Sequence, residues 1–281
     1  MKKRLVSLIL CALMAFACQS HYSARQSPEL ERPPAELNLW NRYVNEELGA
    51  DAIMEECRPR IMRADPHRVR RGLVMFIHGY SSCPQEFAAL VERLTEEGFD
   101  VYLPLLPGHG RKAAPPALGE RPDLVQSFVA KMNAIAQLAT RGDKVLAGLS
   151  GGTSLAMEAA LAAPQLWDRL LFYAPRMNDS LVALPRIQQP LQLVSVHYGQ
   201  TDDASALHKL IQGRRNARLC FYPEGVPHAM LRAATDAHPM DGYWLPALHE
   251  DSLSFITKGR WFRTNHVTTE KEGPLTCRYA L

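Results

Sequence analysis

The sequence predicts an α/β fold, a mostly parallel central sheet flanked by helices. Three observations carry that prediction. Short apolar runs recur along the middle of the chain, continuous rather than alternating, as strands buried on both faces are. Stretches of helical length, amphipathic or alanine-rich, separate them, and strands alternating with helices imply parallel order. Apolar residues make up 47% of the 281, enough to fill one large core or two modest ones, and 22% charge excludes a disordered or fibrous chain.

The chain opens "MKKRLVSLILCALMAFAC". Its apolar run from Leu5 to Ala17 is shorter than the roughly 20 residues a bilayer span needs. It suits a secretory signal, whose apolar segment holds roughly 7–15 residues. Residues 1–17 are therefore expected to be a signal peptide. "AFAC" resembles the end of a bacterial lipoprotein signal, in which Cys18 would be lipidated and anchor the chain to a membrane. Ala15 stands where such signals usually carry Leu, and Ala15 with Ala17 equally fits an A-x-A cleavage site. The expectation is an exported protein: a cell-envelope lipoprotein on the outer-membrane or periplasmic side, or a soluble periplasmic or secreted product. Residues 18–35, polar and proline-bearing, read as a tether. Residues 36–281 read as a single domain with its core at about 57–259. The formal charge of +3 comes from Lys2, Lys3 and Arg4, so the remainder is neutral and has no electrostatic bias toward nucleic acid.

From Glu36 to about Glu56 the pattern is helical, and "CRPRIMRADP" fits an edge strand in which Pro59 is tolerated. "RGLVMFIHG" is a buried strand. "PQEFAALVERLTEEG" is an amphipathic helix with a stop at Gly98. "FDVYLPLLPGHG" is a second strand running into a glycine-rich loop. A helix follows from about Pro122 to Thr140, then strand "KVLAGL", a turn at Ser150 and a helix to Pro164. Strands "RLLFYAP" and "LQLVSVHYG", a helix near Ala204 to Gln212 and strand "ARLCFYP" complete the alternation. The C-terminal "KGRWFRTNHVTTEKEGPLTCRYAL" reads as an extra edge strand tied down by Cys277, or as a loose end.

Export would remove Cys11 with the signal and leave Cys57, Cys83, Cys220 and Cys277 where disulfides persist. Four cysteines allow three pairings, and four reduced thiols are the other alternative; the spacing chooses none of these. No C-x-x-C and no zinc-like histidine spacing occurs, so no metal is expected.

In open α/β sheets, active sites collect outside the carboxyl ends of the strands, and Ser150 sits at one. "GLSGG" fits G-x-S-x-G. In such a turn Gly148 and Gly152 let strand and helix pass closely, and the serine is thrust outward in a strained conformation at a helix N-terminus. This is the nucleophile elbow of the α/β hydrolases, a fold the chain resembles from about Cys57 to Gly259. "FIHGYSSCPQEF", "LPLLPGHGR" and "GLSGG" together look like bacterial carboxylesterases and monoacylglycerol lipases of that superfamily.

The resemblance implies a base and an acid after the serine in chain order. Asp202, three residues after Gly199, matches the acid's place; Asp203 is its alternative, and Asp179 is a more distant one. His228, just beyond the last strand, matches the base, with His238 in reserve, while His197 reads as packing inside a strand. His78 and His109 match loop-shaping positions that transfer no protons. The oxyanion hole would use the backbone N–H groups of Gly151 and Tyr80. The Tyr80 ring would line the acyl pocket or merely cover the core edge.

Two departures stand out. Only 15 residues separate Pro175 from Leu191, too few for the usual helical cap, which implies an open site. Position 151 is glycine where relatives often carry a larger residue. The implied chemistry is ester hydrolysis through an acyl-enzyme on a small-molecule or lipid-like acyl ester, with no cofactor. Thioester or peptide cleavage, acyl transfer to an envelope polymer, and a catalytically silent binding lipoprotein are the alternatives.

Overall fold

A computed structural model describes residues 34–49, 52–111, 121–139, 142–175, 181–196, 201–222, 231, 245–260 and 276–279. The signal peptide, Cys18 and all of the tether but its last two residues lie outside them.

Among the described residues, eight strands form one sheet. They are β1 (Arg60–Met62), β2 (Gly72–Ile77), β3 (Phe99–Leu103), β4 (Asp143–Leu149), β5 (Arg169–Tyr173), β6 (Leu191–Val196), β7 (Ala217–Tyr222) and β8 (Thr276–Tyr279). The spatial order is β1-β3-β2-β4-β5-β6-β7-β8. The inner six strands run parallel, while β1 and β8 close the two edges antiparallel. All six strands expected between residues 72 and 222 are present, as is the edge strand after Pro59.

The continuous apolar runs are explained by a core on each side of the sheet. Along β2, Leu73, Met75 and Ile77 face one cluster, and Val74 and Phe76 face the other. The first cluster takes side chains from α1 (Ala35–Arg42), α3 (Pro122–Leu138), α4 (Gly151–Ala162) and α5 (Thr201–Ile211). The second takes them from α2 (Ala88–Glu96) and α6 (Leu245–Lys258). A strand with period-2 geometry between two helix layers has no polar face to alternate.

Three boundaries differ from expectation. The helix expected from Glu36 to Glu56 is broken: α1 ends at Arg42, a π-helical turn follows over Tyr43–Glu47, and a short 3₁₀ turn covers Glu55–Cys57. Gly49, at φ +64°, turns the chain out of the helical path. The helix placed near Ala204 starts at Thr201, so Asp202 and Asp203 lie in its first turn rather than in a loop. Helix α6 was not anticipated.

α6 is fastened through the interior. Asp251 accepts from Arg218 of β7 at 2.8 Å, both side chains being almost fully buried, and from Gln192 of β6. Such a pair stabilises little in net terms, but breaking one half is costly.

Candidate active site

The strand–turn–helix at residues 143–162 brings a serine out at the carboxyl edge of the sheet. Ser150 adopts φ 52°, ψ −120°, a left-handed region costing about 1–3 kcal/mol for a residue with a side chain. It is held there by its neighbours. Its N–H donates to Tyr173 O at 2.8 Å, and its carbonyl accepts from Thr153 N at 2.9 Å and Thr153 Oγ1 at 2.5 Å. The turn closes only because its flanks lack side chains. A Cβ on Gly152 would lie 2.3 Å from Ile77 O, and one on Gly148 2.7 Å from Gly152 O.

The loop after β2 passes beside this serine; a Cβ on Gly79 would be 3.3 Å from Ser150 Cβ. Gly79 O accepts from Ser82 N at 3.1 Å and Ser82 Oγ at 3.2 Å, and lies 2.8 Å from His78 Nδ1. Nε2 of His78 accepts from Leu106 N at 3.0 Å, so the ring proton resides on Nδ1 and is donated to Gly79 O. In a trans peptide the N–H points opposite to the C=O. With Gly79 O pinned toward His78 and Ser82, the Tyr80 N–H is turned the other way. The next peptide is fixed as well, since Tyr80 O lies 2.8 Å from Nε2 of His109, whose Nδ1 is 3.1 Å from Pro107 O. Both histidines therefore brace loops. Ser82, which the sequence reading did not single out, closes the turn; a serine three residues after a glycine is the available signal.

Burial and, secondarily, the nearby His109 push His78 down to about 3, against a favourable bond to Gly79. The folded state thus holds it neutral, whereas the unfolded chain protonates it near 6.5. Its stabilising contribution is complete above pH 6.5 and is lost as pH falls toward 3, by on the order of 5 kcal/mol in all. Urea unfolding of wild type and His78→Gln at pH 7, 5 and 4 should show their stability gap narrowing with acidification. Parallel pH curves would show that His78 does not take up a proton on unfolding.

The Tyr80 ring lies against the start of α4. A Cβ at Gly151 would sit 2.7 Å from two of its carbons, so this ring fills the space that a side chain at 151 would need. Tyr80 as a whole is 43% exposed. Glycine at 151 and tyrosine at 80 are two halves of one packing solution.

Ser150 follows β4, Asp202 follows β6, and residue 228 comes after β7. All three strands belong to the parallel set, so their carboxyl ends share one edge. The side chains of Asp202 and Asp203, and all of Asp179, His197, His228 and His238, lie outside the described residues. Between Pro175 and Leu191 the described part is a 3₁₀ turn, Leu181–Arg186, and the four residues 187–190 that lead into β6. Of the four cysteines, Cys57 and Cys83 are bonded to each other. Cys220 is also in a disulfide, and Cys277 is its register partner across the β7–β8 ladder.

The family model described as "Serine aminopeptidase, S33" matches residues 68–212, more than half of the chain. No curated protein matches the chain closely enough to count as a relative. Among solved structures, one reported for the metagenome-derived lipolytic enzymes LipS and LipT is similar at TM-score 0.55 and 18% identity, covering 73% of this chain and 99% of that one. Est1E from Butyrivibrio proteoclasticus with bound ferulic acid gives 0.54 at 16% identity, over 70% and 92%. A soluble monoglyceride lipase variant from Saccharomyces cerevisiae gives 0.52 at 11%, over 73% and 92%. The sheet order, the turn at residue 150 and the family match agree: the chain has the α/β-hydrolase fold and belongs to the serine aminopeptidase S33 family.

Proposed function

We propose that this protein hydrolyses carboxylic esters by nucleophilic catalysis at Ser150. The observation that carries the reading is the conformation of that serine, strained at a strand–helix junction beside a loop whose amide is fixed. Such strain persists only where the surroundings over-determine it, and it gathers at reacting groups. Ser150 would attack the acyl carbon, and the Tyr80 and Gly151 N–H groups would stabilise the oxyanion. His228 would take the serine proton, Asp202 would orient the imidazole, and water would then release the acyl group. The lipolytic and monoglyceride-lipase neighbours favour an ester or lipid-like substrate, and the short stretch before β6 favours an open site. The family description favours amide cleavage as the second reading. We further infer export, with Cys18 as the lipid anchor and residues 18–35 as the tether, from the N-terminal sequence.

The test is labelling with a fluorophosphonate followed by peptide mass mapping. One adduct per chain, on Ser150, supports the reading. Folded protein that never labels, or labels at another serine, overturns it. A parallel comparison of p-nitrophenyl esters with aminoacyl-p-nitroanilides separates ester from amide cleavage.

A further inference from the structure

Residues 43–49 and 52–57 are tied both to the loop after β3 and, through a disulfide, to the loop after β2 that passes beside Ser150. Tyr43 Oη donates to Leu105 O. Met54 N donates to Gly110 O at 2.7 Å, and Arg111 Nη2 donates to Leu48 O at 2.6 Å. A Cβ on Gly110 would stand 2.7 Å from Cys57 Cβ, so strap and loop are in direct contact there. The strap is thereby fixed to the 105–111 loop. A disulfide then joins Cys57, itself buried, to Cys83 at the far end of the Gly79–Ser82 turn. The family match begins at residue 68, beyond the strap.

We propose that the Cys57–Cys83 disulfide is a positioning element for the catalytic site. It locks the turn that carries the Tyr80 N–H to the loop that carries His109, so turnover depends on the bridge being closed. The inference rests on the reading of Ser150 and Tyr80 given above. The His109–Tyr80 bond already links the two loops directly. The disulfide links them a second time through the strap, at Cys83 three residues beyond Tyr80, so that the turn presenting the Tyr80 N–H cannot shift as a body against the 105–111 loop. An oxyanion donor contributes roughly 10²–10³ to rate only while it is aimed at the developing charge, and a displacement of about 1 Å forfeits much of that. A bridge that served only to restrict the unfolded chain would alter stability and leave turnover of the folded protein unchanged.

The experiment compares the full chain with Cys57→Ser/Cys83→Ser, which leaves the Cys220 disulfide in place, using p-nitrophenyl butyrate well below the melting temperature. We expect kcat to fall about 10- to 100-fold, KM to change less than about threefold, and fluorophosphonate labelling to slow in step with kcat. Wild type treated with a trialkylphosphine should behave likewise. The phosphine becomes its oxide, water supplies the oxygen and two protons, and each disulfide becomes two thiols, countable by a thiol reagent. Re-oxidation should restore the rate. A folded double variant with wild-type kcat would overturn the proposal while leaving the serine mechanism standing. Wild type that neither turns over nor labels would instead sink the mechanism itself. Should the double variant fail to fold, phosphine treatment of Cys220→Ser/Cys277→Ser decides, since it opens the Cys57–Cys83 bridge with the other pair already removed. A several-fold loss of kcat at unchanged KM that re-oxidation restores supports the coupling, and no loss overturns it.

Discussion

Replacing Ser150 with alanine is expected to lower kcat on p-nitrophenyl butyrate by about 10⁴- to 10⁶-fold while KM stays within a few-fold of wild type. The substitution removes the attacking oxygen and leaves the oxyanion donors, the loop braces and the substrate surface in place. Alanine bears the same left-handed backbone cost as serine, and the bonds from Ser150 N to Tyr173 O and from Thr153 to the Ser150 carbonyl are main-chain at position 150. The melting temperature should therefore move by no more than a few degrees. Steady-state kinetics with a matched thermal melt checks both halves. Residual turnover above about one per cent in a folded variant would mean that the acyl group is carried by another residue.

Gly152→Ala should do the opposite, destroying the fold locally rather than the chemistry alone. The added methyl would lie 2.3 Å from Ile77 O and 2.5 Å from His78 O. Both are backbone atoms, and Ile77 is held in β2, paired with Gly148 of β4. Nothing flexible stands in the way to be pushed aside. Relief requires α4 to lift off the end of β2, and that carries Ser150 away from the Gly79 turn. Overpacking of this kind costs about 1–3 kcal/mol or more. We expect a loss of at least about 2 kcal/mol in urea unfolding, together with at least a hundredfold loss of kcat in whatever folds. A variant of wild-type stability would show that the strand and helix have slack between them. At Gly151 the obstruction is a side-chain ring, which can swing, so the two adjacent glycines are constrained by different things.

Much of this was legible in the sequence because it depends on local pattern. Continuous apolar runs located six parallel strands, and "GLSGG" located the strained serine, since the sterics of a tight strand–helix turn are written in the glycines themselves. What escaped depends on partners distant in the chain. α6 carries Glu250, Asp251 and Ser252 amid its apolar residues, and Asp251 makes sense only once Arg218 and Gln192 are seen beside it. The break after Arg42 is set by the strap's bonds to residues 105–111, which no window of neighbours contains. Four cysteines left three pairings open, and only the folded chain puts Cys57 next to Cys83. The start of α5 was misjudged because threonine and two aspartates suit a helix's first turn as well as a loop.

The interior ion pair between Arg218 and Asp251 has a bearing on how the polypeptide is made. The guanidinium is synthesised 33 positions before the carboxylate that neutralises it. A nascent chain that has emerged only through β7 carries a cation destined for an apolar setting, with this counter-charge still inside the ribosome. Burying Arg218 before α6 is made would leave that charge without Asp251, so packing of that half of the sheet is favoured only once α6 is present.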